Sequence, residues 1–383
     1  MSTNLRIGIV LTLALGLMTA GCSKDVQIGA VVSESGGVAA YGEKVKKGLE
    51  LALEEVNTEG GLNSGGKILL SYKDDATIPE RGKQVTEELI EVDGVRLIIG
   101  AVSSRVTLAI APLCEAKKVL LMSPSSSSPD ISQAGDYIYR NYPSDIREGT
   151  SLAKFAKDLG LERIVIIAMD DEFGRGLRNV FTQQYESRFR SVVGSFDFTE
   201  GQADKFPAIV EETKELAPDG IYVVAYENDL AQLLQQLSGA EVDSVVMTSS
   251  AVTPNVVQLA GGSAESLVYP QSTFELDSQE PAVAHFVSAY RRKYNADPDI
   301  YAAHGYDALK LLVHAMNESK GSRPDDVRLG LNGIHDYEGA AGLTTFDKNG
   351  DVIRHPRILI IRNGYPVPYE QFVNEGGSIL GRG

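Results

Sequence analysis

The feature that most constrains this chain is an alternation: short apolar runs, each long enough for one strand, are separated by stretches whose apolar residues recur at helical spacing. The runs lie at 26–32, 67–74, 95–102, 118–124, 163–170, 191–198, 219–226 and 243–250. Runs that are apolar throughout suit strands buried on both faces, and the intervening helices supply the crossovers that parallel neighbours need. In EKVKKGLELALEEVN (43–57), for example, Val45, Leu49, Ala52, Leu53 and Val56 share one helix face while the other is charged. The pattern predicts an α/β protein. It comes in two series, about 25–140 and about 146–265, with YRNYPSD (139–145) between them, so two doubly wound parallel-sheet lobes are expected. A length of 383 residues with 43% hydrophobic composition is enough for two cores. Beyond the second series, 279–299 and 301–318 read as helices and 357–364 as a late strand. These must cover one lobe or the other, so the chain is expected to cross between lobes more than once. The last stretch, 374–383, reads as a loose tail.

The first residues do not belong to this pattern. A short polar start with Arg6 leads into an apolar run from Ile7 to Ala20 and then Gly21-Cys22-Ser23-Lys24. That run suits a signal-peptide core and is short for a membrane span. The ending TAGC (19–22) resembles the lipobox of bacterial lipoproteins, although Thr19 stands where Leu is usual. The resemblance implies a leader over 1–21 and a lipidated Cys22. With Cys22 so used, Cys114 has no partner, and it is expected as a buried, inert thiol.

Composition removes several functions. Acidic residues outnumber basic ones 52 to 36, a net charge of −16, which opposes binding to phosphate backbones, so nucleic acid is not expected as a partner. The five histidines are scattered without cysteine partners or an HExxH pattern, so no metal is expected. The commonest nucleotide-binding and hydrolase signatures are missing too, and neither a cofactor nor a catalytic residue is assigned. DKNGD (347–351) has its glycine too early for a calcium loop and reads as a hairpin turn.

What remains is a set of hydroxylated and aromatic residues just after the strands: SESGGVAAYGE (33–43), SSRVT (103–107), SPSSSSPD (123–130), DDEFGRG (170–176) and YEND (226–229). In open parallel sheets these positions line the crevice at the strand carboxyl ends, where ligands bind. Serine and glycine also cap helices and form turns, so the signal lies in the set.

With those residues and the ordered landmarks RNYPSD (140–145), FGRG (173–176), QLAGGSAESL (258–267), PDIYAAHGYDA (298–308) and FDKNGD (346–351), the chain resembles the type I periplasmic solute-binding proteins of ABC importers, in the leucine/isoleucine/valine-binding group. The resemblance implies an N-terminal lobe of 25–142 plus 272–342 and a C-terminal lobe of 143–271 plus 343–373. It implies a multi-strand hinge near 140–145, 268–273 and 340–346. It further implies a monomeric, non-enzymatic protein on the periplasmic or cell-surface side, held to the membrane only by lipid. Such a protein would pass a small polar ligand, a branched-chain or related amino acid, to ABC permease subunits. Importers of amides or of aromatic and short-chain acids, and ligand-sensing lipoproteins on the same fold, are the alternatives.

Carried over by position, Ser104 would donate to the ligand carboxylate beside a helix start, its structural alternative being an N-cap. Ser125 would offer its carbonyl to the ammonium and Ser127 a hydroxyl and an amide, whereas Ser126 and Ser128 are expected as turn and helix-cap residues. Tyr41, Phe173 and Tyr226 would pack on the ligand, Phe173 without the hydroxyl of the family tyrosine. The family carboxylate for the ammonium falls near Ser249, where no acid stands. Glu227, Asp229, Asp170 or Asp171 would have to replace it, or the ligand carries no ammonium.

Overall fold

In the computed structural model, residues 25–272 and 274–380 are described. The expected leader and Cys22 lie outside them. β1 (Val26–Val32) is buried from Ile28 onward because it has parallel neighbours on both sides, β2 (Ile68–Asp74) and β3 (Leu97–Gly100). The crossovers are α1 (Ala39–Thr58), α2 (Pro79–Glu91) and α3 (Ser104–Lys117). β4 (Leu120–Ser123) and β5 (Ile138–Arg140) complete an all-parallel sheet of order β2-β1-β3-β4-β5. Cys114 is buried on α3, and burial pushes its thiol up to about 12.

The chain then builds a second sheet through α4 (Asp145–Asp158), β6 (Arg163–Met169), α5 (Glu172–Tyr185), β7 (Ser191–Phe198) and α6 (Phe206–Glu215). β8 (Gly220–Val224), α7 (Glu227–Gly239), β9 (Val245–Thr248), α8 (Pro254–Ala260) and β10 (Val268–Gln271) continue it. Next come α9 (Pro281–Tyr294), α10 (Ile300–Ser319) and α11 (Pro324–Asn332), and α10 packs along α1 on the first sheet. The expected helix over 279–299 stops at Tyr294 because Asn295 turns left-handed, with φ of 49°. A hairpin of β11 (Tyr337–Gly339) and β12 (Gly342–Thr344) follows. β13 (Arg357–Arg362) and β14 (Tyr365–Pro368) then join the second sheet as an antiparallel edge, before α12 (Tyr369–Asn374). The second sheet has the order β14-β13-β10-β9-β8-β6-β7.

Two glycines explain the close contact of α1 with α10. A Cβ on Gly48 would lie 2.0 Å from the Ala302 carbonyl oxygen, and one on Gly305 would lie 2.4 Å from that of Val45.

The chain passes between the sheets three times, after Arg140, after Gln271 and before Arg357. The third passage lies later than the expected 340–346. DKNGD does form a turn, with Asp347 accepting from the Asn349 and Asp351 amides and Phe346 bridging Val352, but that turn is still clamped to β5. The clamp is Arg140, fully buried, whose guanidinium donates to both carboxylate oxygens of Asp351 at 2.6 and 3.0 Å. It also donates to the Ser128 carbonyl at 2.7 Å and to the Ser132 hydroxyl at 2.7 Å.

Candidate ligand-binding site

A cavity of about 30 Å³ lies at the carboxyl ends of the strands, between the two sheets. That is room for a water or two, far below the ~300–1,000 Å³ usual for small-molecule sites, so the two walls stand nearly in contact. On the first-sheet side it is lined by Tyr41, Ser104, Ser125 and Ser127, and on the second-sheet side by Phe173 and Tyr226.

The serine-rich stretch is a knot of hydrogen bonds and not a linker. Ser123 Oγ donates to the Ala101 carbonyl at 2.8 Å and accepts the Ser126 amide at 3.0 Å. Ser126 Oγ reaches Thr107 Oγ1 at 2.8 Å, so Ser126 faces inward to the loop between β3 and α3. The amides of Ser127 and Ser128 both donate to Ser104 Oγ, at 3.2 and 3.1 Å. Two accepted bonds occupy the lone pairs of that hydroxyl and leave its proton to donate elsewhere. Ser104 is the first residue of α3 and not its cap; the capping position is Ser103, whose side chain makes no capping bond. The first amides of a 14-residue helix therefore face this corner without a side-chain acceptor, an environment that favours an anion. Ser125 and Ser127 line the cavity, whereas Ser126 and Ser128 do not. Ser128 precedes a short 3-10 turn at Pro129–Gln133 without capping it through its side chain.

The opposite wall is aromatic. Phe173 and Tyr226 stack with ring centroids 5.2 Å apart, and the Tyr226 hydroxyl donates to Asp171 at 3.1 Å. Asp171 is itself fixed as the N-cap of α5, accepting from the Gly174 amide at 2.9 Å. Tyr41 crosses from the first lobe, its hydroxyl donating to the Ala251 carbonyl at 2.8 Å. Burial pushes the Tyr41 and Tyr226 phenols up, so both remain neutral donors.

Six lining residues were absent from the sequence-based site: the apolar Val38, Val102 and Ala251, and the polar Tyr142, Ser250 and Tyr301. Tyr142 lies just past β5, on the first passage, and stacks on Tyr301 of α10 at 5.7 Å. Both phenols reach Ser250, Tyr142 at its Oγ and Tyr301 at its carbonyl, each at 3.1 Å. Both tyrosines stand in the motifs RNYPSD and PDIYAAHGYDA, which carried the resemblance but assigned these rings no contact.

Glu227 is not among the lining residues. As the first residue of α7 it turns to the Thr253 hydroxyl, which donates to it at the start of α8. The other acids considered for the ammonium are also absent from the lining. Asp170 pairs with Arg175 at 2.6 Å on the surface, and burial pushes the Asp229 carboxyl up to about 6. Ser249 is buried, accepting the Ala251 amide at 3.3 Å. Among the described residues no charged side chain lines the cavity; Arg105 and Glu200 pair at 2.7 Å, bridging α3 and the segment after β7.

A family model described as periplasmic binding protein matches residues 25–364. A Leu/Ile/Val-binding protein homologue of Brucella melitensis is 25% identical over 92% of this chain and 95% of its own length. Among solved structures, a leucine-binding protein of Thermotoga maritima superposes with a TM-score of 0.83 at 26% identity, covering 90% of this chain and 97% of that one. The branched-chain amino acid substrate-binding protein of Streptococcus pneumoniae, solved with isoleucine, gives 0.81 at 25% identity, covering 89% and 97%.

Proposed function

Because the chain belongs to the periplasmic binding protein family, matched over residues 25–364, we propose that it captures a branched-chain or related amino acid outside the cytoplasm and delivers it to an ABC permease. The family's task is binding and delivery, and no bond is made or broken. The observation that carries the reading is a cavity with anion-favouring donors on one wall and stacked aromatics on the other, each wall from a different sheet.

In this reading Ser104 and the first α3 amides take the ligand carboxylate. The Ser125 carbonyl and the Ser127 hydroxyl take the ammonium, and Tyr41, Phe173 and Tyr226 enclose the side chain. Glu227 acts only behind this shell, through Thr253. Two lobes, 25–142 plus 272–342 and 143–271 plus 343–373, with the turn at 346–352 kept on the first lobe by Arg140, swing about the three passages, and the ligand favours the closed form by contacts available only there. The mature protein is a monomer anchored by lipid on Cys22.

Thermal-shift screening of the purified soluble domain against amino acids, amides, aromatic acids and short-chain acids tests the reading. A ligand at 100 times its Kd adds about 2.7 kcal/mol to the apparent stability. Leucine, isoleucine or valine should raise the melting temperature. If no amino acid does and another acid or an amide does, the proposed substrate class is wrong.

A further inference from the structure

The cavity wall offers an ammonium no charge, yet one buried acid stands directly behind it. Asp145, the first residue of α4, is fully buried, and apart from the Ser127 hydroxyl beside it neither carboxylate oxygen has a hydrogen-bond partner. Other buried carboxylates nearby are engaged: Glu148 accepts the Ser250 amide at 2.9 Å, Asp171 accepts from Gly174 and Tyr226, and Glu227 accepts from Thr253. An unpartnered buried carboxylate is costly, and it persists where something else occupies it. The position of Asp145 is fixed by its own amide, which donates to the Ser127 carbonyl at 2.9 Å, and the Ser127 side chain lies beside its carboxyl. Ser127 in turn lines the cavity.

We propose that Asp145 supplies the counter-charge for the ligand ammonium, acting through Ser127. Its carboxylate accepts the Ser127 hydroxyl proton, which turns the oxygen lone pairs of Ser127 toward the cavity as acceptors for the ammonium N–H. Asp145 is thus a positioning residue, and it takes the place of the acid missing at Ser249. The proposal rests on the reading that the ligand is an amino acid.

The charged and titratable groups facing Asp145 are Glu148 on its own helix, Arg140 at the end of β5, Asp171 at the start of α5, and the phenols of Tyr142 just past β5 and Tyr222 on β8. Arg140 is the cation of the set, and its guanidinium is committed to Asp351, Ser128 and Ser132. Burial, and then Glu148, hold the Asp145 carboxyl well above the usual carboxylate range, while burial raises Glu148 to about 7. An arriving ammonium favours the ionised pair, so binding at pH 6.5 should release protons to solvent.

Calorimetry at pH 6.5 in two buffers of different ionisation enthalpy, with leucine and with 4-methylpentanoate (leucine without its amino group), tests this. Wild type should release protons with leucine and not with 4-methylpentanoate. Asp145→Asn should keep its melting temperature at pH 6.5, since an amide of equal size replaces a carboxyl that is protonated in the free protein, while its preference for leucine over 4-methylpentanoate falls at least tenfold and proton release is lost. Equal leucine affinity in the variant, or equal losses for both ligands, overturns the proposal. Wild-type leucine binding without proton release overturns it with no variant needed. A wild type that binds 4-methylpentanoate but no amino acid overturns the substrate class itself, a separate and recognisable failure.

Discussion

Replacing Arg140 with Met should be among the most damaging single changes outside the hydrophobic core. The guanidinium is fully buried and donates to both oxygens of Asp351, to the Ser128 carbonyl and to Ser132 Oγ. Met fills much of the volume, so the loss is electrostatic and not a cavity. Removing one partner of a buried ion pair costs about 3–5 kcal/mol, because the remaining charge is left uncompensated. An orphaned buried carbonyl, here that of Ser128, adds about 1–3 kcal/mol. A loss of at least about 4 kcal/mol is therefore expected, read as a lower urea midpoint at unchanged slope. Arg140→Met combined with Asp351→Asn should recover about 2 kcal/mol of that loss, since the abandoned charge is gone. A single variant that loses less than about 1 kcal/mol, or a double variant that loses the sum of both singles, would refute the argument. Because Arg140 holds the Ser128 carbonyl, ligand affinity should fall as well.

Gly48→Ala should destabilise by about 1–3 kcal/mol, the usual cost of overpacking, because both the new methyl and its obstacle, the Ala302 carbonyl, belong to helix backbones; a urea midpoint within error of wild type would show that α1 and α10 separate freely. Glu148 should make the fold more stable in mild acid. Its folded value is raised from 4.5 to about 7, so this increment is complete below the unfolded value and lost as pH rises through the folded one, a gross effect of up to about 3 kcal/mol. Asp145 is shifted the same way, so Glu148→Gln, which can still accept the Ser250 amide, should flatten but not abolish the rise in stability between pH 7.5 and 5; identical pH profiles would contradict it. Glu200→Gln removes a half-exposed ion pair worth at most about 1 kcal/mol, so ligand affinity should fall less than about fivefold and not at all in 1 M salt. A larger, salt-independent loss in calorimetry would mean that Glu200 does more than pair with Arg105.

The strands were legible because a buried parallel strand announces itself as a continuous apolar run. Their ends were less so. The run 118–124 yields β4 only over Leu120–Ser123, since Ser123 Oγ turns to the Ala101 carbonyl and starts the serine knot. Tyr41, Ser104, Ser125, Ser127, Phe173 and Tyr226 all come to one cavity because each follows a strand, and strand ends of a parallel sheet share one edge. Glu227 also follows a strand, but a helix start offers its side chain two directions, and Thr253 takes it. Tyr301 was beyond local reasoning, being carried on α10, which reaches the cleft only by packing on α1.

The sequence alone therefore determined the class of the fold, its two series of strands and the edge at which a ligand can sit, because hydrophobic period and chain direction are local properties. Tertiary structure decided which acid stands behind the cavity, which aromatic rings close it and where the last passage between the sheets begins. Those depend on Coulomb and desolvation energies between groups far apart in the chain, such as Arg140 with Asp351, and such energies follow distance in space, not separation in sequence.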